Sequence, residues 1–158
     1  MEQPMNHTNE LPSHLLSNDH RELNLKFEEF QATPVSAAAQ RRGRFERFAT
    51  DLSRHIEVEE RLLFPVFAEA DPSRRALVDR MLDEHRRIEE VLRRIRLRLD
   101  EGLASTEDLE FELVNVLWAH NAREEDAVYP WFDTHLSDSD ARAVHRELGE
   151  PEQNRHEP

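Results

Sequence analysis

HIEVEERLLFP at residues 55–65 and HNAREEDAVYP at residues 120–130 are two versions of one motif. Histidine, two glutamates, an aromatic residue and proline recur at the same spacing, offset by 65 residues. The same offset relates His20 to His85, and each of these histidines precedes the histidine of its motif by 35 residues. We therefore expect two related helical hairpins that together form a four-helix bundle with pseudo-two-fold symmetry.

Apolar residues around both motifs recur at steps of three and four, which is typical of helices that pack side by side. The spacing predicts four helices at about residues 12–31, 36–69, 73–101 and 106–134, and a short fifth helix near 138–148. Pro34, Asp71-Pro72-Ser73 and Gly102 separate the four, and Ser105 or Thr106 suits the start of the last one. The predicted fold class is all-α, an up-down antiparallel bundle.

Proline residues and the two ends of the chain set the limits of this prediction. Pro65 and Pro130 each remove one backbone hydrogen bond, so we expect each to bend or end its helix. We expect residues 12–150 to form one bundle, preceded by a flexible N-terminus at 1–11 and followed by a disordered tail at 151–158.

Composition excludes several classes of protein. The 158-residue chain has a formal net charge of −13, which argues against binding to nucleic acid. It has no cysteine, so thiolate metal sites and disulfides are excluded. We find no apolar run of membrane-spanning length and no secretion signal, so we expect a cytoplasmic protein. The basic stretches RRGRFER (41–47) and RRIRLRL (93–99) are expected to be solvated helix faces.

Six polar residues occupy positions of the helix seam that the pattern assigns to the core. They are His20, His55, Glu59, His85, His120 and Glu124. A buried carboxylate without a partner costs several kcal/mol, and two such carboxylates close together repel each other. A multivalent cation removes both problems, because it binds neutral imidazoles and ionised carboxylates. The alternative is a metal-free interaction bundle in which these groups form a buried polar network.

The spacing within each helix agrees with a metal site. Residues four apart on an α-helix point in nearly the same direction, which pairs His55 with Glu59 and His120 with Glu124. Glu89 follows His85 at the same spacing. Ferritin-like di-iron bundles use Glu-x-x-His instead, so this order disfavours that class. The donor types alone accept iron, manganese or zinc.

The motifs DH at 19–20 and EHRRIEE at 84–90, with the two repeats quoted above, resemble the hemerythrin-like, HHE cation-binding family. The resemblance extends over about residues 12–134. It implies an up-down four-helix bundle that holds two non-haem iron ions joined by an oxo or hydroxo bridge. It also implies O2, NO or H2O2 as the small ligand.

The resemblance also implies a role for each candidate residue. Glu59 and Glu124 would bridge the two ions, His20 and His55 would bind one of them, and His85, His120 and Glu89 would bind the other. On that count, the open coordination position belongs to the ion held by His20 and His55. Oxygen-carrying hemerythrins have histidine where this chain has Glu89, and an anionic donor there predicts a lower reduction potential.

Three metal-dependent functions agree with this reading. One is a module that binds a small ligand for sensing, storage or scavenging, with a separate protein partner if it is a sensor. Another is an enzyme that decomposes hydrogen peroxide, and the third is iron handling or iron-centre repair. Tyr129 and Phe64 occupy equivalent repeat positions and are expected to pack rather than react. Glu60 and Glu125 are expected to point away from the seam, and the alternative is that they contact the ligands from behind or line an entry path for iron. The oligomeric state stays open.

Overall fold

A computed structural model describes residues 10–102 and 105–149, and these residues form helices without any strand. The helices are α1 Pro12–Ala32, α2 Ala38–Val58, α3 Phe64–Ala70, α4 Arg75–Asp100, α5 Glu107–Arg123, α6 Tyr129–His135 and α7 Asp138–Leu148. Two π-helical segments, Glu59–Leu63 and Glu124–Val128, join α2 to α3 and α5 to α6. A 3-10 turn at Pro72–Arg74 leads into α4.

The helices pack as the predicted up-down bundle. α1 lies against α2 and α4 lies against α5, and the two hairpins meet through α1 with α6 and α2 with α4. Short connections reverse the chain between consecutive helices, which makes neighbours antiparallel. The predicted helix bounds agree with the observed ones to within two residues, and α7 spans the residues expected for the short fifth helix. The predicted tail at 151–158 and most of the predicted flexible N-terminus lie outside the described residues.

The two π-helical segments show how the chain accommodates Pro65 and Pro130. Proline has no N–H, and its ring clashes with the carbonyl four residues earlier. In the turn before each proline, the backbone N–H donates five residues back, from Phe64 to the Glu59 carbonyl and from Tyr129 to the Glu124 carbonyl. The helix therefore continues through a widened turn.

A polar layer divides the core of the bundle into two apolar clusters. One cluster contains Leu23, Phe27, Phe45, Phe48, Leu92 and Leu113, among other residues on α1, α2, α4 and α5. The other contains Leu16, Leu63, Phe67, Met81, Phe132 and Val144, and α7 contributes to it. On each of the four long helices, a buried histidine lies between the two clusters. No helix among the described residues is both long enough and apolar enough to cross a membrane.

One basic residue departs from its predicted place. Arg41 was expected on a solvated helix face, but only 7% of its surface is exposed. Its guanidinium donates to the carbonyls of Phe30 and Thr33 at the end of α1, and to Thr106 and Glu110 on the other hairpin. The prediction was wrong for Arg41 because these partners come from distant parts of the sequence. Arg41 thus joins the two hairpins.

We expect Arg41→Ala to lower the free energy of unfolding by about 3–5 kcal/mol, because it leaves the buried Glu110 carboxylate without its cation. Denaturant unfolding measures this change. Arg86→Ala is the matched control, since Arg86 is 71% exposed and its pair with Asp83 contributes at most about 1 kcal/mol. Replacing both partners, as in Arg41→Met with Glu110→Leu, should recover much of the loss. Equal losses from Arg41→Ala and Arg86→Ala would contradict this role.

Candidate metal centre

Six of the seven predicted site residues meet in the polar layer. They form two groups of four, His20, His55, Glu59 and Glu124, and Glu59, His85, His120 and Glu124. Within each group, one donor atom from every residue lies within 4.8 Å of the others, and all six side chains are buried. Both groups contain both glutamates, so the layer offers two adjacent cation positions that share two carboxylates.

Each glutamate reaches both histidine pairs. Glu59 directs Oε1 to His55 Nε2 at 3.1 Å and Oε2 to His85 Nε2 at 3.2 Å. The corresponding contacts of Glu124 Oε1 are 2.9 Å to His120 Nε2 and 3.5 Å to His20 Nε2. Within the histidine pairs, the Nε2 atoms are 3.1 Å apart in the first and 3.0 Å apart in the second. In each group, the two Nε2 atoms and the carboxylate oxygens converge as the ligands of a single ion would.

The other nitrogen of each histidine ring, Nδ1, contacts a carboxylate at the edge of the layer. The pairs are His20 with Glu125 at 2.9 Å, His55 with Asp19 at 2.7 Å, His85 with Glu60 at 2.8 Å, and His120 with Glu84 at 2.9 Å. An Nδ1–H that donates to a carboxylate orients the ring and leaves the Nε2 lone pair for a metal.

These four carboxylates repeat with the same 65-residue offset as the histidines, Asp19 with Glu84 and Glu60 with Glu125. The sequence interpretation did not assign contacts to Asp19 and Glu84, although an acid directly before each of the first-helix histidines was a usable signal. Glu60 and Glu125 point away from the cation positions, as expected, but each reaches a histidine of the opposite hairpin. The duplication therefore preserves the residues that orient the imidazoles.

Buried carboxylate oxygens in the centre lack hydrogen-bond donors. Glu59 Oε2 and both carboxylate oxygens of Glu124 are fully buried and accept no hydrogen bond when the neutral imidazoles carry their protons on Nδ1. Buried polar groups in proteins are ordinarily satisfied, so these oxygens indicate a missing positive partner. A divalent or trivalent cation fits the donors present, since imidazole nitrogen and carboxylate oxygen suit iron, manganese and zinc. The residues present therefore fit a metal pair.

Protons take part of the role of the metal in the metal-free centre. Burial alone would lower the pKa of His55, but the Glu59 and Asp19 carboxylates raise it well above 6.5. Burial likewise opposes charge on His120, yet the carboxylates of Glu124 and Glu59 raise its pKa to about 9. Both raised pKa values favour a second proton on each ring, which a metal would displace on binding.

Glu89, the seventh predicted site residue, belongs to neither group. Its side chain is exposed, and Oε1 accepts a hydrogen bond from the Ser53 hydroxyl at 2.9 Å. On α4 the neighbouring Ile88 faces the core instead. The assignment of Glu89 as a ligand stays a prediction that this geometry does not support. Without Glu89, each of the two cation positions has the same donors, which are two histidines and two glutamates.

The two equivalent aromatic residues differ in their contacts. Phe64 stacks on His85, with ring centroids 5.4 Å apart, and packs as expected. The hydroxyl of Tyr129 instead enters the centre, 2.9 Å from His20 Nε2 and 2.5 Å from Glu59 Oε1. Sequence reasoning expected Tyr129 only to pack. The difference between tyrosine and phenylalanine at equivalent positions was the available signal.

Comparison with known proteins gives one match. A family model described as the hemerythrin HHE cation binding domain matches residues 11–132. The matched range contains both hairpins and every residue of the two cation-binding groups. No curated protein and no solved structure matches the chain with significance.

Binding of a metal at pH 7 should release protons from the centre, because the raised pKa values of His55 and His120 keep these rings protonated without it. Calorimetric titration in two buffers of different ionisation enthalpy counts the protons. The release should decline as the pH rises through about 9. His135→Gln, which alters an exposed histidine, is the control and should leave the count unchanged.

The same pKa shift sets the pH dependence of the metal-free protein. The pKa of His120 is raised on folding, so its contribution to stability is complete below about pH 6.5 and is lost as the pH rises through about 9. Metal-free protein should therefore become less stable between these limits.

For the proton-release experiment, metal binding at pH 7 without release of protons would contradict the protonated state of both rings.

Proposed function

The chain belongs to the hemerythrin HHE cation-binding domain family, and we propose that it is a non-haem di-iron protein that binds a small ligand such as O2 or NO. The observation that carries this proposal is the pair of buried donor groups that share Glu59 and Glu124. In the proposal, His20 and His55 hold one iron, His85 and His120 hold the other, and the two glutamates bridge them.

The number of protein donors leaves room for an external ligand. Each group supplies two imidazole nitrogens and two carboxylate oxygens, which is four donors for an ion that accepts six. An oxo or hydroxo bridge would take one remaining position on each iron. A small ligand would take the other remaining position. Each iron would then be held by four protein donors and still have one coordination position open to the ligand.

Burial of the donors favours a retained metal centre over a labile one. None of the four histidines is more than 4% exposed, and both glutamates are fully buried. Carboxylates behind the imidazoles increase their basicity and hold their orientation, which strengthens metal binding. These features support ligand binding at a permanent centre more than donation of iron to another protein.

Two surface grooves bring solvent close to the centre. A groove of about 510 Å³ between α1 and α5 reaches His20 and is lined in part by the apolar side chains of Phe27, Leu117 and Trp118. A second groove, of about 850 Å³ between α2 and α4, reaches His85. Ligands the size of O2, NO or H2O2 are small enough for either route.

The second groove favours hydrogen peroxide decomposition as an alternative function. Its lining is dominated by arginines and glutamates, including Glu60, Arg86 and Arg93. Such a surface attracts water and polar solutes more than it attracts O2 or NO. The peroxide hypothesis therefore rests on the polarity of this groove.

Full-length protein supplied with iron should hold two ions per chain, and Glu59→Gln with Glu124→Gln should abolish this binding. Mass spectrometric metal analysis measures the content. Iron should also raise the melting temperature of the wild-type protein but not of the double variant, because a metal bound only by the folded state stabilises it. Glu57→Gln, at a position 71% exposed, is the control. Wild-type protein without stoichiometric metal would contradict the proposal.

Reduced, iron-loaded protein should bind NO with a change in its visible spectrum, and metal-free protein should not. Addition of hydrogen peroxide to the same samples separates the two functions. Sustained evolution of oxygen, measured with an oxygen electrode, would establish the peroxide enzyme. Stable NO binding without oxygen evolution would support the ligand-binding module.

A further inference from the structure

The hydroxyl of Tyr129 lies among the donor atoms of one cation position. Oη is 2.9 Å from His20 Nε2, 3.2 Å from His55 Nε2 and 2.5 Å from Glu59 Oε1. The side chain is only 1% exposed, so water does not explain these contacts. The equivalent position in the other hairpin is Phe64, which offers no donor atom to His85 and His120.

The separations agree with those of neighbouring ligands on a single ion. Donors about 2.1 Å from an octahedral ion lie about 3 Å from their neighbours. We propose that Tyr129 Oη is a further protein ligand of the ion held by His20 and His55. This inference rests on the proposed di-iron function. Phenolic oxygen is a hard donor suited to ferric iron, as carboxylate oxygen is.

A hydrogen bond alone accounts poorly for the same contacts. The phenol has one proton, and the Glu59 carboxylate oxygen at 2.5 Å is the acceptor best placed to take it. The Nδ1 atoms of His20 and His55 already face Glu125 and Asp19. When a metal displaces the second proton of His55, both Nε2 atoms and Oη direct lone pairs at a common point, where the cation binds. On metal binding, the phenolic proton leaves to solvent.

The π-helical segment before Pro130 directs Tyr129 to this point. A turn closed by a bond from residue i+5 to residue i brings residues five apart onto nearly the same face. Tyr129 follows Glu124 by five residues, and its N–H donates to the Glu124 carbonyl. Glu124 and Tyr129 therefore face the centre together.

A tyrosine ligand makes the two iron positions unequal. The position at His20 and His55 gains a fifth protein donor, and a bridge would complete its coordination. The position at His85 and His120 keeps four, so the open site for a small ligand moves there. This reverses the expectation from sequence, which assigned Glu89 to the second ion. The second groove, which reaches His85, then becomes the route for the ligand.

Visible absorption and resonance Raman spectra of the ferric protein test the proposal. A tyrosinate bound to ferric iron gives a charge-transfer band and enhanced phenolate ring modes. The chain contains a single tyrosine, so any such signal comes from Tyr129. Tyr129→Phe should lose the band and retain two irons, since Phe64 shows that phenylalanine fits the equivalent position. Phe64→Tyr is the matched gain variant and should intensify the band.

Azide added to the ferric proteins tests which position is open. Phe64→Tyr should weaken azide binding, because its new hydroxyl competes for the position at His85 and His120, whereas Tyr129→Phe should not weaken it. Wild-type protein with two irons and no tyrosinate signal would overturn this inference alone. Wild-type protein that holds no stoichiometric iron would overturn the proposed function and the inference with it.

Discussion

The structure depends on one electrostatic constraint, the burial of two carboxylates beside four imidazoles in the middle of a helical bundle. Glu59 and Glu124 are both fully buried, and three of their four oxygens accept no hydrogen bond while the imidazoles are neutral with their protons on Nδ1. Such groups are tolerated when a cation neutralises them. The apolar clusters on both sides leave the two glutamates without exposed surface, so their charge must be balanced by groups within the layer. Protons on the imidazoles would neutralise part of this charge, and the metal pair that we propose would neutralise it more completely.

Pro65 and Pro130 determine the backbone conformation next to the two buried glutamates. Pro65 and Pro130 each force a widened turn, and the two turns begin at Glu59 and Glu124. Widened turns of this kind are frequent at functional sites, because they aim side chains that a regular helix would direct elsewhere. α4 has no such turn at the level of the centre, and Glu89 remains on the surface while Ile88 faces the core. The widened turns therefore set the direction of Phe64 and Tyr129, the residues that follow the two glutamates.

Sequence patterns predicted the helices well because apolar side chains at steps of three and four determine a bundle almost unaided. The same pattern identified six polar residues in the seam, all of which meet in the structure. It failed where the answer depended on contacts between distant segments. Arg41 is buried because Glu110 lies on the other hairpin, and the carboxylate of Asp19 orients His55 across a helix pair. Periodicity contains no information about such partners.

The duplicated hairpin explains the symmetry of the centre, and Tyr129, which is equivalent to Phe64, departs from that symmetry. Each repeat contributes two histidines, one glutamate that both groups share and two carboxylates that contact the imidazoles, so six carboxylates surround the two candidate cation positions. An anionic environment of this kind stabilises the more highly charged state of a metal. Two equal irons would give a ligand no preferred partner. A tyrosine ligand would remove that equality, and Phe64 and Tyr129 are both buried, so the packing of the bundle accommodates either ring.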